Sequence, residues 1–455
     1  MIELVVISLL IILVLAYYTL GRNISRPTIL YVSGFLFCSI VAYIYKEDWG
    51  LHKMSPTTAF VLIGGAFVFY LVELFEYKKH PFNPPHSIRI DSDDFRPIAP
   101  IKLVAFLLFQ IIAISMMARS EMNYAMTDDL AYAVGEVNQD SKFDQIAISH
   151  PFYIQYPYGI CMWARSFWCV YFPYYLFKSS KYNLHKILIA LNLLVGTGGS
   201  LVTGGRTIIL FDIVAVIFFS YICYQFKIKW IGGLFSKKVQ LILVSVGLVF
   251  SLLFSELGYA IGRQESDRTI AVIFSIYCGA EIKNLDDYIQ QPFKQGNERG
   301  WLGQYTFCGQ YDDYQRRFEG AKGVRLNQPD LAFNSYGDYP LGNVYTTYFN
   351  FILDFGIIGA VLFTGFMSWL CALLYRKTIT SNFWITGRPD LWMLFCVYKV
   401  PGACFLSFFA NKFFEDFTLI GTLKMLFFWW LIIIFLHGFP NVVRNTKAVP
   451  KHLNI

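Results

Sequence analysis

Apolar residues in this sequence fall in runs of roughly 18 or more, and this feature limits the possible folds more than any other. Runs of that length with few charges are too long for the core helices of a soluble protein. The composition agrees, because 56% of the residues are hydrophobic and only 15% are charged, against about 25% charged in an average soluble domain. Backbone that faces lipid must satisfy its own hydrogen bonds, so we predict an all-α, polytopic membrane protein.

Eleven membrane-spanning helices are predicted from these runs. No small-residue cleavage site follows the first run, so we interpret it as a retained helix and not as a signal peptide. The predicted spans cover residues 2–20, 27–45, 57–76, 101–117, 152–177, 184–201, 207–226, 239–257, 346–375, 391–410 and 418–437.

Lysine and arginine concentrate in alternate connections between the spans, among them GRNISR, FKSSKYNLHK and KIKWIGGLFSKK. Basic connections stay in the cytoplasm, which places the N-terminus outside and the C-terminus inside. The net charge of +7 follows largely from this topology and does not indicate binding to nucleic acid. Residues 118–151 then lie outside. The chain divides into spans 1–8 (1–257), a large outer loop (258–345), and spans 9–11 with a cytoplasmic tail (346–455).

The short outer turn TGGRT, residues 203–207, places an arginine just before span seven. Its glycines leave the backbone free of side-chain bulk and able to adopt positive φ. Arg206 stands at a helix N-terminus, where free N–H groups and the helix dipole favour an anion. A guanidinium there can hold phosphate with two hydrogen bonds. Arg206, Gly205 and Thr207 therefore form a candidate phosphate site, and the alternative is an arginine that extends toward lipid headgroups.

A second cationic cluster opens the large outer loop in the stretch SELGYAIGRQESDRT. If span eight continues as a helix, Glu256 and Arg263 share one face, and Arg268 lies on a neighbouring face. These arginines leave the same membrane surface as Arg206 and are further candidates for phosphate binding. The alternative is a set of solvated helix pairs, such as Arg263 with Asp267, worth about 0.2–0.5 kcal/mol each.

Aromatic and amide residues run through the large outer loop, as in RGWLGQYTFCGQYDDYQRRF and SYGDYPLGNVYTTY. Aromatic faces beside amide and carboxylate groups suit sugar rings, which present an apolar face and many hydroxyls. Trp301, Tyr305 and Tyr345 are the candidate glycan-binding residues. An interfacial aromatic belt is the alternative, although it explains only the aromatics near the ends of spans.

Four ionisable residues lie inside predicted spans: Arg165, Asp212, Asp354 and Lys399. A charge at the bilayer centre costs about 2.5–3.5 kcal/mol on insertion scales, so each is expected to face protein or water. Asp212 is expected to neutralise Arg165 or Lys399 from another span. Two interpretations stay open: a structural ion pair between helices, and a polar, partly hydrated cavity that extends down from the outer face.

Motifs of soluble enzymes are absent from the sequence, which has no P-loop, no H-E-x-x-H and no G-x-S-x-G. The seven histidines are scattered, and neither a metal site nor a cofactor is expected. Most of the nine cysteines lie inside predicted spans, whereas Cys278 and Cys308 lie in the outer loop. A disulfide between these two stays open, because spacing alone does not show whether their geometry fits.

Three stretches resemble the Wzy-type polymerases of bacterial O-antigen and capsule repeat units. TGGRT at 203–207 is similar to a short Gly/Ser-Arg-Thr turn of that family. GNERGWLGQYT at 296–306 is similar to its Gly-rich outer segment, and GNVYTTYFNFILDFGIIGAVLF at 342–363 to its return helix. The resemblance covers roughly residues 184–375, and the order of the motifs around one large outer loop is its most specific part.

The resemblance implies a multi-pass glycosyltransferase of the bacterial inner membrane, with its active site facing the periplasm. Such an enzyme transfers a glycan from undecaprenyl pyrophosphate to the non-reducing end of another lipid-linked repeat unit, in lipopolysaccharide or capsule synthesis. No metal or nucleotide sugar is needed, because the pyrophosphate is the leaving group. The lipid-linked oligosaccharides, the lipid bilayer and a chain-length regulator are the partners that the resemblance implies.

This reaction needs two kinds of residue at the outer face. Cations must neutralise the departing pyrophosphate, and the candidates are Arg206, Arg263 and Arg268. A base must accept the proton of the attacking sugar hydroxyl. The candidate bases are Glu256, Asp338 and Asp354, with His150 as an alternative.

Other functions stay open beside the polymerase. An O-antigen ligase uses the same donor and delivers the glycan to lipid A–core, but the TGGRT turn favours a polymerase. A transporter or flippase of lipid-linked sugars would suit the buried charges, but transporters often show repeated halves with broken helices, and none is visible in the sequence. A purely structural or regulatory membrane protein is the remaining alternative.

The span count departs from the family pattern, which usually has an even number of spans and both ends inside. The stretch TIAVIFSIYCGAEI at 269–282 is the place where a further span could lie. Its apolar run is too short to cross a bilayer. We therefore interpret it as an interfacial or re-entrant helix.

Overall fold

The structure, a computed structural model, describes most of the chain as long helices with short connections. The described residues are 1–81, 95–142, 148, 150–231, 233, 237, 270–291, 300–321, 326–327, 329 and 333–439. The helices are α1 (Ile2–Thr19), α2 (Pro27–Ile44), α3 (Pro56–Lys79), α4 (Pro100–Tyr124), α5 (Leu130–Lys142), α6 (Phe152–Leu176), α7 (Asn183–Gly198), α8 (Arg206–Lys227), α9 (Ile270–Cys278), α10 (Ala280–Gln290), α11 (Cys308–Phe318), α12 (Thr347–Ile379), α13 (Phe383–Thr386), α14 (Leu391–Phe405) and α15 (Leu419–His437). The strands are β1 (Asn334–Tyr336) and β2 (Tyr339–Gly342).

Nine segments of the described chain are helices long and apolar enough to cross a bilayer. The chain is therefore a helical, multi-pass membrane protein, as predicted. These segments coincide with nine of the eleven predicted spans. The predicted span at 152–177 is the helix α6. It is long enough to cross a bilayer, but its tyrosines and its arginine make it less apolar than the nine other segments. The predicted span at 239–257 lies outside the described residues.

Two helices form the centre of the bundle. In α2 and α14, 67% and 72% of the apolar stretch is buried, compared with 28% in α1, α4 and α15. The central helix α2 packs against α1, α3 and α14, and α14 also packs against α6, α8 and α12. The peripheral helices therefore present the apolar side chains that lipid covers, while α14 brings its polar residues into contact with protein.

Local sequence signals set several helix starts. Pro27, Pro56 and Pro100 each occupy the first turn of a helix, where a missing N–H leaves no bond unmade. Thr418 caps α15, because its hydroxyl accepts a hydrogen bond from the N–H of Gly421 at 3.1 Å. This cap defines the end of the connection between α14 and α15.

The predicted outer loop folds back onto the bundle. Within the described residues, the helix α9 has nine residues, which span about 13 Å and are too few to cross a bilayer. The next helix, α10, packs against α2, α3 and α12. The strands β1 and β2 pair antiparallel, with Tyr336 opposite Tyr339. The fold is mostly helical, in agreement with the all-α prediction, and this short hairpin is an addition to the short helices that were predicted for the loop.

The helix α12 is broken near its start. Gly356 has φ 68° and ψ −167°, a conformation that is open to glycine and strained for other residues. The break follows the first turns of α12, where Asn350 and Asp354 bond to the backbone of the outer-loop segment. The longer part after the break packs along α3, where Ser368 donates to the carbonyl of Phe69. The sequence analysis found no broken helix.

Candidate functional site

A cavity of about 310 Å³ lies between α6, α8, α14 and the connection that precedes α15. Its lining includes five ionisable side chains: Arg165, Asp212, Lys399, Lys412 and Asp416. The volume is at the lower end of the range of small-molecule sites. The predicted polar cavity within the spans is therefore present.

The cavity opens toward one end of the bundle, which we call the large-loop end and define by the described residues 118–142, 270–291, 300–321 and 333–345. Asp212 is six residues from the start of α8, about 9 Å along the helix axis. Lys412 and Asp416 belong to the connection between α14 and α15 at the same end. The cavity thus joins the membrane-spanning region to the surface that carries the short helices.

The wall formed by α6 and α8 carries an ion pair. Arg165 Nη1 lies 2.9 Å from Asp212 Oδ2, and the hydroxyl of Thr197 donates to the same oxygen at 2.7 Å. Arg165 Nε also donates to the carbonyl of Met162 at 2.9 Å. The prediction that Asp212 neutralises a cation from another span is confirmed, with Arg165 as the partner.

Lys399 lies on α14, opposite this ion pair, and is only 7% exposed. Its ammonium donates to the carbonyl of Lys412 at 3.4 Å. Within the part of the chain that the structure describes, no carboxylate forms a salt bridge with it. Because a buried ammonium is strongly disfavoured without a partner, an anion that entered the cavity would be stabilised at Lys399.

The connection before α15 closes the cavity with further charges. Lys412 Nζ pairs with Glu415, while its carbonyl receives the hydrogen bond from Lys399. Asp416 follows directly and is exposed. Positive and negative groups therefore meet where the cavity reaches the large-loop end.

The TGGRT turn has the predicted local geometry. Gly204 has φ 69°, and α8 begins at Arg206 with Gly205 as its cap residue. A side chain at position 204 would collide with Asn138 of α5, so α5 lies directly against the turn. Arg206 is only 4% exposed, which argues against an arginine extended to lipid headgroups. Thr207 is partly exposed.

Arg206 does not itself line the cavity. Ile208, two residues farther along α8, does. The turn and the cavity are therefore neighbours on one helix. Three other predicted residues, Glu256, Arg263 and Arg268, lie outside the described residues.

Asp354 holds the outer loop against α12. Its two carboxylate oxygens accept hydrogen bonds from the backbone N–H groups of Tyr305 and Thr306, at 3.2 and 2.6 Å. A side chain at Gly300 would also collide with this carboxylate. The close approach explains the glycine, and the two hydrogen bonds give Asp354 an anchoring position away from the cavity.

The other predicted outer-loop residues do not converge on one point. Trp301 is 69% exposed, whereas Tyr345 is buried and lies 4.4 Å from Phe349 between ring centroids. Tyr305 is partly buried, and its carbonyl accepts a hydrogen bond from an α12 side chain. Asp338 is exposed in the turn between β1 and β2. Trp301 thus offers a free ring face, while Tyr345 is part of the packing.

His150 lies against the end of α4. Its Nδ1 is 2.8 Å from the hydroxyl of Ser120, and its Nε2 is 3.5 Å from the carboxylate of Glu121. Glu121 is 1% exposed. The imidazole therefore has a partner on each nitrogen, and it does not line the cavity.

Cysteine and metal chemistry do not mark a site in the described part of the chain. Cys278 and Cys308 are both free thiols, so the disulfide left open by the sequence is not formed. Burial raises the pKa of both thiols above the usual range, which disfavours the reactive thiolate. No group of three or more His, Cys, Asp or Glu side chains that could hold a metal ion occurs among the described residues.

Sequence reasoning missed two of the cavity residues, Lys412 and Asp416. The signal available was the stretch NKFFEDF at 411–417, which places three charges in a short connection between two apolar helices. Such a connection also suits a solvated turn. Only the packing of α14 against α6 and α8 shows that these charges face a cavity.

Comparison with known proteins adds no relative. None of the protein-family models, curated proteins or solved structures searched matches the chain.

Proposed function

We propose that the chain is a glycosyltransferase of the bacterial inner membrane that polymerises lipid-linked oligosaccharide repeat units. It would transfer the growing glycan from undecaprenyl pyrophosphate to the non-reducing end of another lipid-linked unit, with the large-loop end facing the periplasm. The observation that carries the proposal is Lys399, a buried cation without a carboxylate partner among the described residues, in a cavity that it shares with Arg165 and Lys412.

The charge balance of the cavity supports an anionic ligand. Arg165 is neutralised by Asp212, and Lys412 pairs with Glu415. Lys399 and Asp416 are then the cavity charges without a salt bridge among the described residues, and Lys399 is the one that an anion would neutralise. Because a buried charge is stabilised only by a partner or by water, an anion held at this depth binds more favourably than a neutral molecule.

The position of the cavity supports a lipid-linked anion. The bound anion would lie within about two helical turns of the start of α8. A polyprenyl pyrophosphate keeps its diphosphate near the membrane surface because its tail stays in the bilayer. A soluble phosphate compound would have no need of a site among spanning helices.

In this proposal, cations of the cavity stabilise the leaving group, and the outer loop binds the glycan. Lys399, with Arg165 beside it, would stabilise the negative charge that develops on the departing pyrophosphate. The exposed ring of Trp301 would contact the sugar units. Arg206 would shape the rim of the site through the turn that starts α8, with Arg263 and Arg268 as further proposed phosphate ligands.

A transporter of lipid-linked sugars is the second candidate. The break of α12 at Gly356 favours it, since discontinuous helices often form transport sites. However, no residue of α12 lines the charged cavity. The broken helix and the cation site are therefore separate features, which favours the transferase.

The phenotype of a deletion separates these functions. Deleting the coding sequence from its bacterial host and resolving the surface polysaccharide on a gel should show core carrying one repeat unit if the protein is a polymerase. Bare core with accumulated lipid-linked polymer would indicate a ligase. Bare core with single lipid-linked units retained in the cytoplasmic leaflet would indicate a transporter, and unchanged polysaccharide would refute all three.

The Arg206→Ala variant tests the turn in the same host. We expect loss of long glycan chains while the protein inserts and accumulates normally, because the change removes a guanidinium next to the cavity. The gel pattern and an immunoblot of the membranes measure the two quantities. Chains of full length would exclude Arg206 from the mechanism.

A further inference from the structure

Asp416 occupies the mouth of the charged cavity. It lies in the connection between α14 and α15, lines the cavity and is exposed. Lys399, which is 7% exposed, lies deeper on α14. A ligand whose anion sits at Lys399 would therefore place its other end near Asp416 and the aqueous side.

The carboxylates near Asp416 are already engaged. Asp212 accepts hydrogen bonds from Arg165 and Thr197, and Glu415 pairs with Lys412. Asp416 accepts no hydrogen bond from the described residues. Of the two carboxylates that line the cavity, Asp416 is the one without a salt bridge among the described residues, so both of its oxygens can accept a hydrogen bond from a substrate.

The candidate bases from the sequence are placed differently. Asp354 uses both oxygens on backbone N–H groups of the outer loop. Asp338 lies in the exposed turn of the hairpin. His150 has Ser120 on one ring nitrogen and Glu121 near the other. None of these three lines the cavity.

Electrostatics connect Asp416 to the cavity cation. Asp416 and Lys399 line the same cavity, where their opposite charges attract each other although they form no salt bridge. The two oppositely charged groups thus face the same small volume from its two ends.

We propose that Asp416 is the catalytic base of the transferase. The inference rests on the proposed function. The acceptor sugar hydroxyl would donate its proton to Asp416 while its oxygen forms a bond to the anomeric carbon of the donor. The bond from that carbon to the pyrophosphate oxygen breaks, and its electron pair leaves with undecaprenyl pyrophosphate, whose charge Lys399 stabilises.

The Asp416→Asn variant tests the proposal through two separate quantities. The first is binding of undecaprenyl pyrophosphate to purified protein in nanodiscs, which we expect to match the wild type. The second is glycan transfer in membranes of the deletion host, which contain the lipid-linked repeat unit. Transfer per mole of protein should fall by about 10²–10⁴-fold, as for loss of a general base.

Two further variants control for folding and for surface charge. Asp416→Glu keeps the carboxylate and should retain a measurable part of the transfer rate and its pH dependence, whereas the Asn variant should lose the decline of rate toward acid pH. Asp48→Asn removes an exposed carboxylate in the connection between α2 and α3, outside the cavity. It should behave as the wild type.

The possible results distinguish an error in the assignment of Asp416 from an error in the proposed transferase function. Wild-type transfer by Asp416→Asn would overturn the proposal, and so would loss of undecaprenyl pyrophosphate binding, which would indicate a binding or structural role. If the wild-type protein binds no undecaprenyl pyrophosphate, the transferase function itself fails, and the base assignment fails with it.

Discussion

Two buried arginine–carboxylate pairs, at opposite ends of the bundle, differ in what surrounds them. Arg165 lies 2.9 Å from Asp212 beside a cavity of about 310 Å³. Arg26 lies 3.8 Å from Glu73 beside a cavity of about 20 Å³. The arginines are 8% and 7% exposed, and each pair joins two helices. Burial and pairing alone therefore do not distinguish a ligand site from a structural contact.

The Arg26 pair is enclosed by protein. The guanidinium lies 4.5 and 5.0 Å from the ring centroids of Tyr77 and Tyr375. Glu73 accepts a hydrogen bond from the N–H of Thr28 at 2.7 Å. Aromatic rings and backbone thus replace water around both charges, which leaves no room for a ligand.

The Arg165 pair has an additional cation beside it. Lys399 lines the same cavity without a carboxylate partner in the described part of the chain. At the other end, by contrast, the second arginine on the small cavity, Arg376, has Glu76 within 4.0 Å. The difference teaches that a buried cation without a salt bridge, together with open volume, indicates an anion site, whereas the buried pair itself does not.

The largest expected effect comes from removing Lys399, the cavity cation that forms no salt bridge with the described residues. Lys399→Met should lower glycan transfer by at least about 100-fold, because one electrostatic group aimed at a developing charge contributes that much. The melting temperature in detergent should stay the same or rise, since a buried ammonium is replaced by an apolar side chain. Transfer in membranes and thermal unfolding of purified protein measure the two effects.

A matched control is Lys424→Met at the same end of the bundle. Lys424 bonds to the hydroxyl of Tyr156 at 3.2 Å and does not line the cavity. It should retain transfer. Equal loss of transfer in both variants, or a lower melting temperature for Lys399→Met, would contradict the assignment of Lys399.

For the enclosed pair of Arg26 and Glu73, we expect a change in stability and not in glycan transfer. Arg26→Met leaves Glu73 buried without its cation, which costs about 3–5 kcal/mol of unfolding free energy. We expect a lower melting temperature and less protein in the membrane, but unchanged transfer per mole of folded protein. The partly exposed Arg376 provides the control, since Arg376→Met breaks a rim contact worth about 0–1 kcal/mol. A loss of specific activity in Arg26→Met would break the comparison.

The smallest expected effect concerns a buried carboxylate that forms no salt bridge with the described residues. Glu281 of α10 is fully buried and accepts a hydrogen bond from the thiol of Cys38, at 3.6 Å. Burial raises the pKa of Glu281 well above its usual range. The protonated form therefore stabilises the fold at acid pH, and this contribution is lost as the pH rises above about 4.5 toward the folded-state pKa.

The Glu281→Gln variant measures that contribution. Glutamine does not titrate, so at about pH 8 the variant should unfold at a higher temperature than the wild type. The free energy of unfolding should be larger by an amount on the order of 1–3 kcal/mol. The two proteins should converge near pH 4.5. Parallel curves of melting temperature against pH would show that Glu281 is not the titrating group.

Several features of the site follow from local sequence. The pair of Arg165 with Asp212 was predictable, because a charge within a span needs a partner and few ionisable residues occur there. The start of α8 at Arg206 follows from the glycines before it. The short helix α9 follows from the length of its apolar run.

Other features depend on contacts between distant segments. The roles of Lys412 and Asp416 require that α14 lie against both α6 and α8. The anchoring of the outer loop by Asp354 requires its approach to Tyr305, 49 residues away in the chain. No periodicity of the sequence encodes such a pairing, because it depends on how each helix is rotated about its axis.

The sequence by itself determined that this protein is a bundle of membrane-spanning helices, because the length and apolarity of each run are local properties that the bilayer tests one segment at a time. Only the tertiary structure decided which charges are satisfied and which are not. Arg26, at the edge of an apolar run, and Lys399, inside one, both need a partner, but the sequence does not show which of them has one. Packing enclosed the first between a carboxylate and two rings, and left the second facing open volume, because the partners come from other helices.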